Sequence, residues 1–129
     1  MTLNDSALLE RFSRGELSEF PHLDHVRVVY LHTRRAGRDA AVEFARAGLQ
    51  RLTRQLGVPE KYHETVTVAW ARLVGERTEI GPCRDFAEFL DHNPQFQRKE
   101  LLDDYYSREV LFGPDARARF VEPDLRPLP

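Results

Sequence analysis

The segment from Arg38 to Leu56 limits the fold most strongly. Ala41, Phe44, Ala45, Gly48, Leu52 and Leu56 recur at three- and four-residue spacing, while Arg38, Glu43, Arg46, Gln50 and Arg54 share the other face. That period fits a helix with one apolar face and not a half-buried strand, whose side chains alternate with period two. Ala36-Gly37 lies before it and Gly57-Val58-Pro59 after it, so the helix is bounded on both sides. Such a helix draws most of its stability from packing its apolar face against partners. The rest of the chain must supply them.

Asn4 or Asp5 caps a first helix through Ala7-Leu8-Leu9-Glu10-Arg11-Phe12, with Gly15 near its end. A second helix starts in Ser18-Glu19-Phe20-Pro21, with Ser18 as N-cap and the proline in the first turn, and runs to about Arg35. Arg38–Leu56 is the third. A fourth, about Glu60 to Glu76, is apolar nearly all round (Val66, Val68, Ala69, Trp70, Ala71, Leu73, Val74), which predicts a central, buried element. Its Thr65-Val66-Thr67-Val68 run also reads as a strand, but the length and the Ala-Trp-Ala-Arg-Leu continuation favour helix. A short fifth helix covers Phe86–Leu90 and a sixth Lys99–Tyr106, with one more turn or two from Asp115 to Phe120. The expectation is all-α: a compact single-domain bundle of about five to six helices over residues 1–120. An extended proline-rich tail follows at 121–129, with three prolines in nine residues.

Lys+Arg 19 against Asp+Glu 21 leaves a net charge of -2, which gives no electrostatic reason to expect nucleic acid or an anionic membrane as partner. A small-molecule ligand or substrate is the expected partner, and the oligomeric state stays open. Cys83 is the single cysteine, so no intrachain disulfide forms and thiolate metal clusters are out. No paired histidine is evident for it, and it reads as a bystander thiol. Met1-Thr2-Leu3-Asn4-Asp5 lacks a basic region followed by an apolar core, and no apolar run approaches the roughly 20 residues of a membrane-spanning helix. The expected location is the cytoplasm.

Chemistry concentrates at two helix starts. His22 and His25 lie in the first turn of the second helix and share a stripe with Val26 and Val29; His63 and Glu64 lie in the first turn or so of the fourth. Connections of a few residues make successive helices antiparallel neighbours, so the second and fourth helices bring their N-termini to one end of the bundle. His22, His25, His63 and Glu64 then form a candidate shell for a divalent transition metal, zinc or iron, with Glu64 as fourth ligand or as base. Without a metal, His63 and Glu64 are the candidate acid–base pair. Arg27, Tyr62 and Thr67 are supporting candidates: Arg27 pairing with Glu64 or Asp24, the other two donating hydrogen bonds beside His63. His32 is excluded from this shell, because ten residues of helix separate it from His22 by about 15 Å. His92, before a proline in a loop, is assigned no role. Glu19-x-x-His22 and Glu60-x-x-His63 match the spelling of di-iron carboxylate motifs, but their glutamates fall at or before the helix starts.

Phe20-x-His22-x-x-His25-x-Arg27-Val28, Lys61-Tyr62-His63-Glu64-Thr65 and Tyr105-Tyr106-Ser107-Arg108 together resemble an uncharacterised family of small bacterial proteins. The resemblance spans most of the chain after the first helix. It implies a small helical protein and assigns no residue a role. The leading expectation is therefore a small metal-dependent, or His/Glu acid–base, enzyme with its site at the shared end of the second and fourth helices. The alternative is a non-catalytic module that binds a ligand or protein, with structural histidines.

Overall fold

The computed structural model describes residues 3–129; Met1 and Thr2, the start of the N-terminal stretch read above, lie outside the described residues. The chain forms α1 (Asp5–Arg14), α2 (His22–Ala36), α3 (Arg38–Gln55), α4 (Glu64–Ile80), α5 (Phe86–His92), α6 (Arg108–Leu111) and α7 (Pro114–Ala118), with no strand among the described residues. None of these helices is long and apolar enough to cross a membrane.

Local chemistry explains each boundary. Asn4 Oδ1 accepts the Ala7 N–H at 2.8 Å to open α1, and Gly15 at φ +70° closes it in the left-handed region that favours glycine. The second helix begins later than Ser18. Pro21, at φ −65° and ψ 162°, is the N-cap, and its carbonyl accepts from the Asp24 and His25 N–H groups. A residue preceding proline is pushed out of the α region, so the helix does not extend back through Phe20.

Likewise α4 begins at Glu64 and ends at Ile80, because Pro59–Lys61 takes a separate 3₁₀ turn and Tyr62 and His63 are extended. Its β-branched opening is helical. The Thr67 hydroxyl donates to the His63 carbonyl at 2.8 Å and the Thr65 hydroxyl to the Arg119 carbonyl at 3.0 Å, which satisfies both groups inside the protein. The helix expected over Lys99–Tyr106 is instead a 3₁₀ turn, Leu101–Asp104. Leu101 and Leu102 are both buried, and the Ser107 side chain starts a new helix by accepting from Val110.

One apolar cluster draws on every long helix, with Phe12, Tyr30, Phe89, Phe96 and Tyr106 its largest fully buried members. α2, α3 and α4 pack on one another, and α1 lies on α3. A Cβ added at Gly48 would sit 2.2 Å from Phe12 Cε2, so only glycine lets the α1 ring lie flush on the α3 backbone. Phe12 in turn meets Phe20 at 4.9 Å and Phe44 at 5.4 Å between centroids. Phe20 is thereby fixed just ahead of α2. Residues 119–129 have no regular secondary structure; Tyr106 donates to the Val121 carbonyl at 2.7 Å and Leu125 to the Tyr105 carbonyl at 2.9 Å.

Candidate functional site

The N-terminal ends of α2 and α4 open onto one cavity of about 670 Å³. His22 and His25 line it from α2, Tyr62 and His63 from the approach to α4, and Thr67 and Trp70 from α4 itself. Its floor is apolar, from Phe12, Val28, Ala45, Leu52 and Val74, and the exposed Lys61 and Lys99 also border it.

The hydrogen bonds of the three histidines show that Nε2 of each carries a proton. A carbonyl oxygen can only accept, so a ring nitrogen facing one carries the proton. His22 Nε2–H donates to the Phe96 carbonyl at 2.7 Å, and the ring meets Trp70 edge-on at 4.8 Å. His25 Nε2–H donates to the Phe20 carbonyl at 3.0 Å and stacks on the Phe20 ring at 4.1 Å. In the neutral ring each is left with a lone pair on Nδ1. Burial drives His25 down to about 4 against the opposing pull of the Phe20 carbonyl, so at pH 7 it is uncharged.

His63 is different. Its Nδ1 accepts the Val66 N–H at 3.1 Å as the N-cap of α4, and its Nε2–H donates to the Leu111 carbonyl at 2.8 Å. Both nitrogens are committed, and burial lowers its pKa as well. It ties α4 to α6 and holds no free lone pair.

Glu64 points elsewhere. Its carboxylate is buried and accepts from Arg46 Nε at 2.8 Å and from the Tyr62 hydroxyl at 2.5 Å; Arg46 also reaches Glu43 at 2.9 Å. Glu64 is absent from the cavity wall. Burial, then the bond to Glu64, pushes the Tyr62 hydroxyl up to about 12. Arg27 pairs with Asp5 at 2.6 Å and donates to the Leu3 carbonyl at 3.0 Å, tying α2 to the start of α1 and meeting neither Glu64 nor Asp24. Thr67 engages the His63 backbone and not its ring. His32 stacks on Phe44 at 4.0 Å and is not among the residues lining the cavity.

The structure thus brings His22, His25, His63, Tyr62 and Thr67 to one cavity and leaves Glu64 and Arg27 out of it. His22, His25, His63 and Glu64 are not gathered as a ligand set. Among the described residues, the one set of three or more His, Cys, Asp or Glu whose ligand atoms lie within 4.8 Å of one another is Cys83, Glu88 and His92. Cys83, for which no paired histidine is evident in the sequence, has its Sγ 3.7 Å from His92 Nδ1. The i, i+4 spacing of Glu88 and His92 is the sequence signal that points to them. No family model matches the chain, and neither a curated protein nor a solved structure is detectably similar to it.

Proposed function

We propose that this protein is a ligand-binding module that takes a small, largely apolar molecule into the cavity between the starts of α2 and α4. The observation that carries the reading is the cavity itself. Its volume of about 670 Å³ falls in the range of roughly 300–1,000 Å³ usual for ligand sites, and an apolar wall with a few convergent polar groups is their usual lining. The Nδ1 lone pair of neutral His25 accepts a hydroxyl proton, and Lys61 and Lys99 attract a carboxylate. The ligand is therefore an apolar body ending in a hydroxyl or carboxyl group. A metal or acid–base enzyme built on His63 and Glu64 would require His63 to give up its cap and Glu64 to leave Arg46 and Tyr62, and the binding reading requires neither.

Trp70, half-buried on the cavity wall, is the chain's single tryptophan and supplies the readout. Titration with 1-anilinonaphthalene-8-sulfonate, an apolar anion, should quench Trp70 saturably at one probe per chain, and decanoate should displace the probe. Val66→Phe narrows the cavity from a half-buried position without adding a tryptophan and should weaken the probe at least tenfold, with unchanged far-UV circular dichroism and a cooperative urea transition. No saturable binding, or equal binding to Val66→Phe, would sink the proposal.

A further inference from the structure

At the opposite end of α2 from its first-turn histidines, a second group of side chains converges. Cys83 lies on the loop after α4, while Glu88 and His92 sit one turn apart on α5. Their ligand atoms all fall within 4.8 Å of one another. Sγ of Cys83 and Nδ1 of His92 are 3.7 Å apart. Bond lengths of about 2.3 Å to sulfur and about 2.1 Å to nitrogen at a tetrahedral zinc place those two atoms about 3.6 Å apart, so the pair already spans a zinc ion's edge. The three donors are soft thiolate, imidazole and carboxylate, a combination that suits zinc and not magnesium or calcium.

The groups behind these donors hold them in place. Arg84 Nε donates to Glu88 at 2.6 Å, fixing the carboxylate. The backbone that carries Cys83 is held from α2: the Tyr30 hydroxyl donates to the Cys83 carbonyl at 3.5 Å and Arg34 to the Arg84 carbonyl at 3.2 Å. Asp85 opens α5 by accepting the Glu88 N–H at 2.9 Å, setting the register that faces Glu88 and His92 the same way. Partners behind the ligands are what orient them in metal sites.

We infer that Cys83, Glu88 and His92 form a zinc site, with three protein ligands and a fourth position left to water. Binding exchanges the thiol proton for the metal: the S–H bond breaks, a Zn–S bond forms and the proton leaves to solvent. Thiolate and carboxylate together neutralise the dication. His92 is exposed and Cys83 and Glu88 are half-buried, so a metal reaches them from solvent. This site is independent of the cavity between α2 and α4.

The test is titration of the full chain, purified without a polyhistidine tag and kept reduced, with zinc alone and with cobalt alone. The expected result is one zinc per chain and a thiolate-to-cobalt charge-transfer band in the near ultraviolet. Cys83→Ser should abolish the band, and His92→Ala should weaken zinc at least tenfold. A His22→Ala/His25→Ala double variant should change neither. Absence of saturable zinc binding would overturn the inference, as would zinc affinity unchanged in both Cys83→Ser and His92→Ala. Loss of the metal in the His22/His25 variant alone would place it at the cavity and refute this site equally.

Discussion

His25 makes the stability of this protein depend on acidity in a way that can be worked out beforehand. Its ring is held neutral by burial, with a pKa lowered from 6.5 to about 4. In the unfolded chain the same ring titrates near 6.5. Between those values the unfolded state binds the extra proton, so stability is full above about 6.5 and falls as the pH drops toward 4. Each unit is worth about 1.36 kcal/mol. The loss from this one ring is therefore about 2 kcal/mol on going from pH 6.5 to 5, and about 3 kcal/mol when complete. His32 and His63, also lowered by burial, add to the slope in the same direction.

His25→Phe separates the contributions. The phenyl ring keeps the volume and the stack on Phe20 but cannot titrate. Losing the hydrogen bond to the Phe20 carbonyl costs on the order of 1 kcal/mol at every pH. The assay is urea denaturation by circular dichroism from pH 7.5 to 4.5 at constant ionic strength. The variant should lie about 1 kcal/mol below wild type above pH 6.5, meet it near pH 6 and be the more stable of the two at pH 5, with a slope shallower by up to about 1.36 kcal/mol per unit. Parallel curves across pH 6.5 to 5 would refute the placement of a neutral, half-buried His25.

Three substitutions test the framework around the cavity. His63→Ala removes the cap of α4 and leaves the Leu111 carbonyl without its donor, and should cost about 1–2 kcal/mol in urea denaturation. Glu64→Ala strands the Tyr62 hydroxyl and leaves Arg46 to Glu43 alone; with that second partner and the Arg46 side chain 33% exposed, the loss should be about 2 kcal/mol, below the full cost of breaking a buried pair. Gly48→Ala drives a methyl into the Phe12 ring and should destabilise by about 1–3 kcal/mol, read from the thermal midpoint.

The helices whose boundaries are set by nearby side chains were legible from the residues. Asn4 and Gly15 frame α1, and the spacing of Ala41, Ala45, Gly48 and Leu52 gives α3 almost to the residue. Boundaries that depend on distant packing were not. The stretch from Lys99 to Tyr106 reads as one helix, yet it makes only a 3₁₀ turn at Leu101–Asp104 before Ser107 caps α6. Convergence of His22, His25 and His63 followed from short connections alone. Their roles did not follow, because Glu64 finds Arg46 on the neighbouring helix and His63 finds a carbonyl from 48 residues away. The Cys83–His92 approach depends on the path of a loop that carries no periodic signal.

The most direct test of ligand binding is a backbone amide NMR titration of the full chain with decanoate. The predicted result is saturable shifts confined to the cavity wall, at Phe20, His22, His25, Val66, Thr67 and Trp70, with α5 unmoved. Shifts scattered over the surface, or none at these residues, would contradict it.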